Sequence, residues 1–255
     1  MRIVIKIGTS TLTHPSTGHM NIRRVEELCK VISDIKNAGN EIIIVSSGAI
    51  GMGVGKLGLR NRPDDIPTKQ AAAAVGQCEL MYTYDKLFGE YSHTVAQLLI
   101  TNEDVQSNTR HTNFSNTLNR LLELGAIPII NENDTVATDE IVIGDNDTLA
   151  AIVAETIKAD KLILLSDIDG LYTADPHTDP NAQLIRHASK IDDAIFALAG
   201  DSSCKFGTGG MITKLQAAKI CLACGCDMII TNGNTPANLY LIVEGQRVGT
   251  TFSEK

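Results

Sequence analysis

No apolar run in the chain approaches the roughly twenty residues that a membrane-spanning helix needs. The opening MRIVIKIG is too short and too charged for the apolar stretch of a secretory signal. Both absences argue against a membrane or secreted protein and lead to the expectation of a cytoplasmic one. Positive charge is in deficit: 22 Lys and Arg stand against 30 Asp and Glu, a formal net charge of −8. Such a balance argues against a nucleic-acid surface, which carries a basic stripe to neutralise phosphates. It leaves open a single phosphate-bearing small molecule, which needs only a local cluster of lysines and backbone N–H groups.

Several motifs are also missing. Six cysteines in a chain with no secretory signal are expected to be reduced thiols. The run CLACGC, residues 221–226, has no second pair of Cys or His at zinc spacing, so small buried thiols are expected there and no metal site. The six histidines form no HExxH or triad-like pattern. GxxxxGK[ST] is absent, and the glycines of GAIGMGVG, residues 48–55, neither space as GxGxxG nor follow the first strand. Walker-type and dinucleotide-binding sites are therefore weakly supported.

What is present is an alternation of strand and helix. Continuous apolar runs at 2–7, 41–45, 94–100, 126–130, 161–165 and 227–230 fit strands buried on both faces of a parallel sheet. Between them, Ile22, Val25, Leu28, Ile32 and Ile35 recur at helical spacing and stop at Gly39, as a glycine cap requires. Similar patterns cover 71–88, 114–124, 149–157 and 211–222. The pattern predicts an α/β protein, a three-layer αβα sandwich with a mainly parallel central sheet, in one domain over 1–255. Pro128 removes a ladder donor and predicts an irregular or short strand there. Residues 135–143 alternate apolar and polar and suggest a small antiparallel ribbon outside the sheet.

Ligands of such sheets bind beyond the carboxyl ends of the strands, and four predicted strand ends carry small or polar residues. Gly8-Thr9-Ser10 follows the first, Ser46-Ser47-Gly48 the second, Asn131-Glu132-Asn133-Asp134 the fourth and Ser166-Asp167 the fifth. Lys6 beside Gly8 suits a phosphate, although a lysine with its head in water fits equally. FGTGGMITKL, residues 206–215, leads into a helix, and Thr208, Gly209 and Gly210 can form an anion-binding turn there with Lys214 one turn on. Asp145, Asn146 and Asp147 precede another helix. One cap needs one residue, so the surplus can hold a substrate amine or orient lysines, while capping remains the alternative.

Taken in order, VIKIGTSTL, IIIVSSGAIGMG, IPIINENDTVA, VGDNDTLAA, LLSDIDGLYTADP and KFGTGGMITKL resemble the amino acid kinase superfamily, and within it the glutamate 5-kinases. The KIGTS start is unlike the corresponding segments of aspartokinases, acetylglutamate kinases and uridylate kinases. The resemblance implies an ATP-dependent transferase acting on the γ-carboxylate of L-glutamate in proline biosynthesis, with Mg2+ as cofactor. It implies catalytic roles for Lys6, Lys214 and Asp147, the last orienting both lysines. ATP binding would fall to Lys6, Gly8, Ser166, Asp167, Thr208, Gly209, Gly210, Met211, Ile212, Thr213 and Lys214. Ser47, Asp134 and Asn146 would bind glutamate, Asp134 taking the ammonium while Ser47 and Asn146 donate to a carboxylate. The resemblance further implies feedback by L-proline, a partner glutamyl phosphate reductase and a homo-oligomer. Many bacterial members carry a C-terminal PUA domain, and none is expected here. The alternatives are another amino acid kinase, for acetylglutamate, aspartate, carbamate or UMP, or a non-catalytic sensor of the same fold. Retention of both lysines argues against the sensor.

Overall fold

A computed structural model of the chain describes residues 1–14, 17–136, 146–176, 178–199 and 210–254. The six apolar runs all form strands: β1 (Arg2–Ile7), β2 (Glu41–Ser46), β3 (Val95–Ile100), β4 (Ile127–Glu132), β5 (Lys161–Ser166) and, later, β7 (Asp227–Asn232). Two short strands, β6 (His187–Ala188) and β8 (Thr250–Phe252), complete one sheet of order β3-β4-β2-β1-β5-β7-β8-β6. Every pairing is parallel except β7 with β8.

The ten helices among the described residues are α1 (Thr9–Leu12), α2 (Ile22–Asn37), α3 (Ala49–Lys56), α4 (Ile66–Gly89), α5 (Asn102–Gln106), α6 (Asn108–Glu123), α7 (Asn146–Thr156), α8 (Asp193–Leu198), α9 (Met211–Cys224) and α10 (Asn238–Val243). Each central strand buries alternate residues on opposite faces. Val4, Ile43 and Val45 meet α6, α7 and α9, whereas Ile3, Ile5, Ile42 and Ile44 meet α2, α4 and α10. Each fully buried branched residue contributes about 1.5–3 kcal/mol, which explains why runs apolar on both faces were legible as central strands. Gly39 takes a left-handed φ of 91° beyond α2, as expected of its cap.

Several expectations are corrected. Pro128 does not shorten β4, which pairs with β3 over six residues and extends to Glu132; the ladder to β2 is reduced instead to two pairs. The helix expected from residue 71 starts at Ile66, where Asp65 accepts from Thr68 N at 2.9 Å and proline stands in the first turn. The helix expected from 114 starts at Asn108. Cys221 and Cys226 are buried, but Cys224 is exposed because α9 ends there and Gly225 turns away at φ 75°. The ribbon expected over 135–143 falls largely outside the described residues.

The glycine-rich segment after β2 is helical. Gly48, at φ 102°, turns the chain from β2 into α3 in a conformation that other residues adopt only with strain. Within α3, a Cβ on Gly53 would enter the van der Waals shell of the Ala72 carbonyl. A Cβ on Gly76 of α4 would likewise strike the Ala49 carbonyl. The two helices therefore cross backbone to backbone, an approach that no larger residue permits at those points.

Candidate active site

β1 is the centre of the arrangement. The chain passes from it to β2 on one side and returns to β5 on the other, which makes the β1–β5 boundary a topological switch point, the place where ligands of such sheets bind. Lys6 shares the face of Val4 and therefore points towards α7 and α9. There its Nζ lies 2.6 Å from Asp147 Oδ1. Asp147 sits in the first turn of α7 and is fully buried. Lys214, one turn into α9, donates to Asp147 Oδ2 at 3.1 Å, and Thr213 Oγ1 lies 3.1 Å from the same oxygen and 2.8 Å from Gly210 O. Three elements from distant parts of the chain thus converge on one carboxylate.

Burial opposes the charge of Asp147, yet the two ammonium groups more than offset it and hold its pKa below the ordinary carboxylate range. The N-terminal end of α7 adds favourable potential. Both lysines are themselves buried, at 8% and 7% exposure, so their ammonium groups are held at the seam rather than extended into water. Gly8 keeps the space above clear: a Cβ there would stand 3.8 Å from Lys6 Nζ.

On the β5 side, Ser166 is buried with its Oγ donating to Asp167 Oδ1 at 3.1 Å, and Asp167 is exposed. Gly210 is the extended N-cap of α9, and Met211, Ile212 and Thr213 form its first turn beside Lys214. The backbone N–H groups of that turn have no partner within the helix and suit phosphate oxygens. Thr208 and Gly209 lie outside the described residues.

On the β2 and β4 side, Asn146 Nδ2 donates to Ser47 Oγ at 2.7 Å and to Asn131 Oδ1 at 3.1 Å. Asp134 follows in the turn after β4; burial raises its pKa, and Arg62 opposes the rise. Two members of this half escaped the sequence reasoning. Asn131 was noticed at its strand end but not assigned to the site. Gln77 on α4 accepts from Asn131 Nδ2 at 3.0 Å and is buried. Its signal was available: a polar residue on the apolar face of a helix, in line with Ala73, Leu80 and Tyr84. Behind them Tyr84 OH meets Ser46 Oγ at 2.9 Å, tying α4 to the end of β2.

The family model of the amino acid kinase family matches residues 1–232. This chain belongs to the amino acid kinase family. Among curated relatives, it is 50% identical to the glutamate 5-kinase of Clostridium perfringens over 258 residues, covering 100% of this chain and 96% of that one. It is 52% identical to the glutamate 5-kinase of Listeria welshimeri, covering 100% and 93%. The glutamate 5-kinase of Caldanaerobacter subterraneus, 51% identical, is longer, and the match covers 68% of it.

Solved amino acid kinase folds superimpose closely. Isopentenyl phosphate kinase of T. acidophilum gives a TM-score of 0.69 at 20% identity, over 99% of this chain and 100% of that one. Carbamate kinase from Giardia lamblia bound to AMP-PNP gives 0.70 at 18% identity, over 100% and 98%. At such identities the likeness concerns the fold. The three-layer architecture and mainly parallel sheet expected from the sequence are those of this family.

Proposed function

We propose that this chain transfers the γ-phosphoryl group of ATP to the side-chain carboxylate of L-glutamate, giving ADP and L-glutamyl 5-phosphate, the entry step of proline biosynthesis. The observation that carries the proposal is Asp147, which joins Lys6 and Lys214 at the seam between a phosphate-suited half and a half built of Ser47, Asn131, Asp134 and Asn146. Half-identical relatives named glutamate 5-kinase, matched over the full chain, support the same substrate.

On this reading each residue has a task. ATP lies over β5 and the start of α9, with Ser166, Asp167, Gly210 and the first turn from Met211 to Thr213 around it, and Gly8 admitting its phosphates to Lys6. Thr208 and Gly209 belong to the same loop by sequence. Glutamate lies over β2 and β4, with Asp134 taking its ammonium and Ser47 and Asn146 touching its polar groups. The γ-carboxylate is ionised at neutral pH and attacks phosphorus without a general base. Catalysis then rests on in-line positioning and on charge placed against the equatorial oxygens of the transferring group. Lys6 and Lys214 supply that charge, and Asp147 holds their separation.

Mg2+ would enter with ATP. Both Asp147 oxygens are engaged by lysines, and no group of three His, Cys, Asp or Glu at metal-holding distance occurs among the described residues. Phosphate oxygens and water would therefore carry the ion, which supplies further neutralisation of phosphate charge. A cytoplasmic location is part of the proposal; no helix among the described residues is long and apolar enough to cross a membrane. A homo-oligomer and a single kinase domain over 1–255 belong to the same proposal. So does competition by L-proline, which shares the ammonium and α-carboxylate of glutamate and would raise the apparent glutamate KM. The acyl phosphate is a reactive mixed anhydride and calls for a reductase to consume it.

The test is ATP turnover with L-glutamate, L-aspartate, N-acetylglutamate, carbamate and UMP in parallel, with hydroxylamine trapping of acyl phosphate. Glutamate should give the highest kcat/KM and a trapped hydroxamate. A better substrate elsewhere in that panel would refute the assignment.

A further inference from the structure

The glutamate half of the site is wired by four side chains in series. Gln77 Oε1 accepts from Asn131 Nδ2 at 3.0 Å, Asn131 Oδ1 accepts from Asn146 Nδ2 at 3.1 Å, and Ser47 Oγ accepts from the same Asn146 nitrogen at 2.7 Å. The series has a direction. An amide NH2 offers two hydrogens, and those of Asn146 are committed to Asn131 and Ser47. What remains for a ligand is therefore an acceptor, Asn146 Oδ1, and a donor, the Ser47 hydroxyl. The sequence-based expectation that Asn146 donates to a carboxylate does not fit this direction.

Reversing every amide would give the opposite offer. Gln77 Nε2 would donate to Asn131, Asn131 to Asn146 Oδ1, and Ser47 would spend its hydroxyl hydrogen on the same oxygen. Asn146 would then face a ligand with a bare NH2. An ammonium group would meet a donor instead of an acceptor.

Gln77 is the far terminus of this series. It lies on α4, 7% exposed, and its Nε2 is buried with no hydrogen-bond partner among the described residues. A buried amide that satisfies its oxygen and leaves its nitrogen bare is an uncommon choice. The bare nitrogen costs stability, and the direction in which Asn131 donates inward is held by its bond to Gln77 Oε1.

We propose that Gln77 is a positioning residue for substrate recognition: by accepting from Asn131 it fixes the direction of the Asn146–Asn131–Gln77 series, so that the site presents Asn146 Oδ1 to the substrate ammonium and the Ser47 hydroxyl to a substrate carboxylate. Gln77 touches no reacting group and acts through Asn131. The proposal rests on the amino-acid substrate proposed above, and its test is arranged to fail separately.

The experiment measures steady-state kinetics and melting temperature for Gln77→Leu, Gln77→Glu, Ser47→Ala and the double variant Gln77→Leu/Ser47→Ala, using whichever acid the unaltered enzyme prefers. Gln77→Leu should raise the KM for that acid about tenfold, equivalent to about 1.4 kcal/mol, with the ATP KM within twofold. Gln77→Glu should recover most of the loss, because a carboxylate accepts from Asn131 as the amide oxygen does. The double variant should be within about twofold of Ser47→Ala alone, since both changes interrupt one series. If Gln77→Leu melts too low to assay, Gln77→Met is measured in its place with the same expectations. An unchanged KM, full multiplication of the two single effects, or equal losses in Glu and Leu would overturn the proposal. A wild-type preference for an acid other than glutamate would refute the substrate assignment while leaving this comparison intact.

Discussion

Replacing Asp147 with Asn tests whether one carboxylate organises both lysines and whether they serve the proposed transfer. Asp147 is fully buried, and the side chains of Lys6 and Lys214 are 11% and 8% exposed. The wild-type cluster holds two positive charges and one negative; Asp147→Asn leaves two positive charges and nothing between them. Removing one partner of a buried ion pair costs about 3–5 kcal/mol. The lysines retain a little access to water and can swing outward, so the lower end, about 3 kcal/mol, applies. For a chain of this size that lowers the melting temperature by roughly 6–12 °C. Swinging outward also takes both ammonium groups away from the transferring phosphoryl group, and kcat should fall by about a hundredfold to a thousandfold. Adding ATP with Mg2+ should raise the melting temperature of the variant more than that of the wild type, because phosphate replaces the missing anion. The assays are differential scanning fluorimetry with and without nucleotide, and coupled ATP turnover at saturating glutamate. A folded variant with near-normal kcat, or an unchanged melting temperature, would refute the assignment of Asp147 as organiser.

Lys6→Ala and Lys214→Ala should each depress kcat by about a hundredfold or more, whereas Ser47→Ala, Asp134→Ala and Asn146→Ala should chiefly raise the glutamate KM and leave the ATP KM nearly unchanged; initial-rate kinetics in both substrates separates the groups. Burial raises the pKa of Asp134, and an ammonium group binds its ionised form, so the glutamate KM should climb as pH falls through that raised pKa, by up to about tenfold per unit. Asp134→Asn should flatten this pH profile. Gly53→Ala must push α3 and α4 apart and should cost about 1–3 kcal/mol by chemical denaturation. Gly55→Ala, whose Cβ would meet nothing closer than His19 at 3.5 Å, should be neutral or stabilising by up to about 1 kcal/mol.

The parts of the fold that were legible are those in which one physical requirement dominates the residue choice. β1, β2, β4, β5 and β7 are buried on both faces and so are written as unbroken apolar runs. β3 lies at the sheet edge and keeps Gln97 exposed. β6 and β8 are two and three residues long, too short for any periodicity; β8 joins the sheet by pairing with β7, and β6 by pairing with β8. The helix α3 was hidden by Gly51, Gly53 and Gly55, because intrinsic propensity opposes a helix there and tertiary packing against α4 overrides it. In the site, Lys6 and Lys214 stood out as lysines near glycines at element ends, and Asp147 as a polar residue beyond what a helix cap needs. The surplus polar residues before α7 suggested that one of them could orient the lysines, and the resemblance gave that part to Asp147; the spacing could not show the meeting itself, since the three lie far apart in the chain. Gln77 was silent for a different reason: its role depends on which neighbour its oxygen faces, and no spacing rule encodes that.

The backbone crossing of α3 and α4 determines which parts of the glutamate half can move. Gly53 and Gly76 leave no side chains between the helices to act as bearings, so neither can slide or roll without its main chain colliding with the other. Ser47 stands just before one helix and Gln77 just after the crossing glycine of the other, so both ends of the hydrogen-bonded series are bolted to the same rigid block. Adaptation to a bound amino acid is thereby left to the connection between the helices, residues 57–65, which carries Arg62 to the neighbourhood of Asp134. Substitutions in that connection should therefore alter the rates of substrate entry and departure more than the geometry of the bound state.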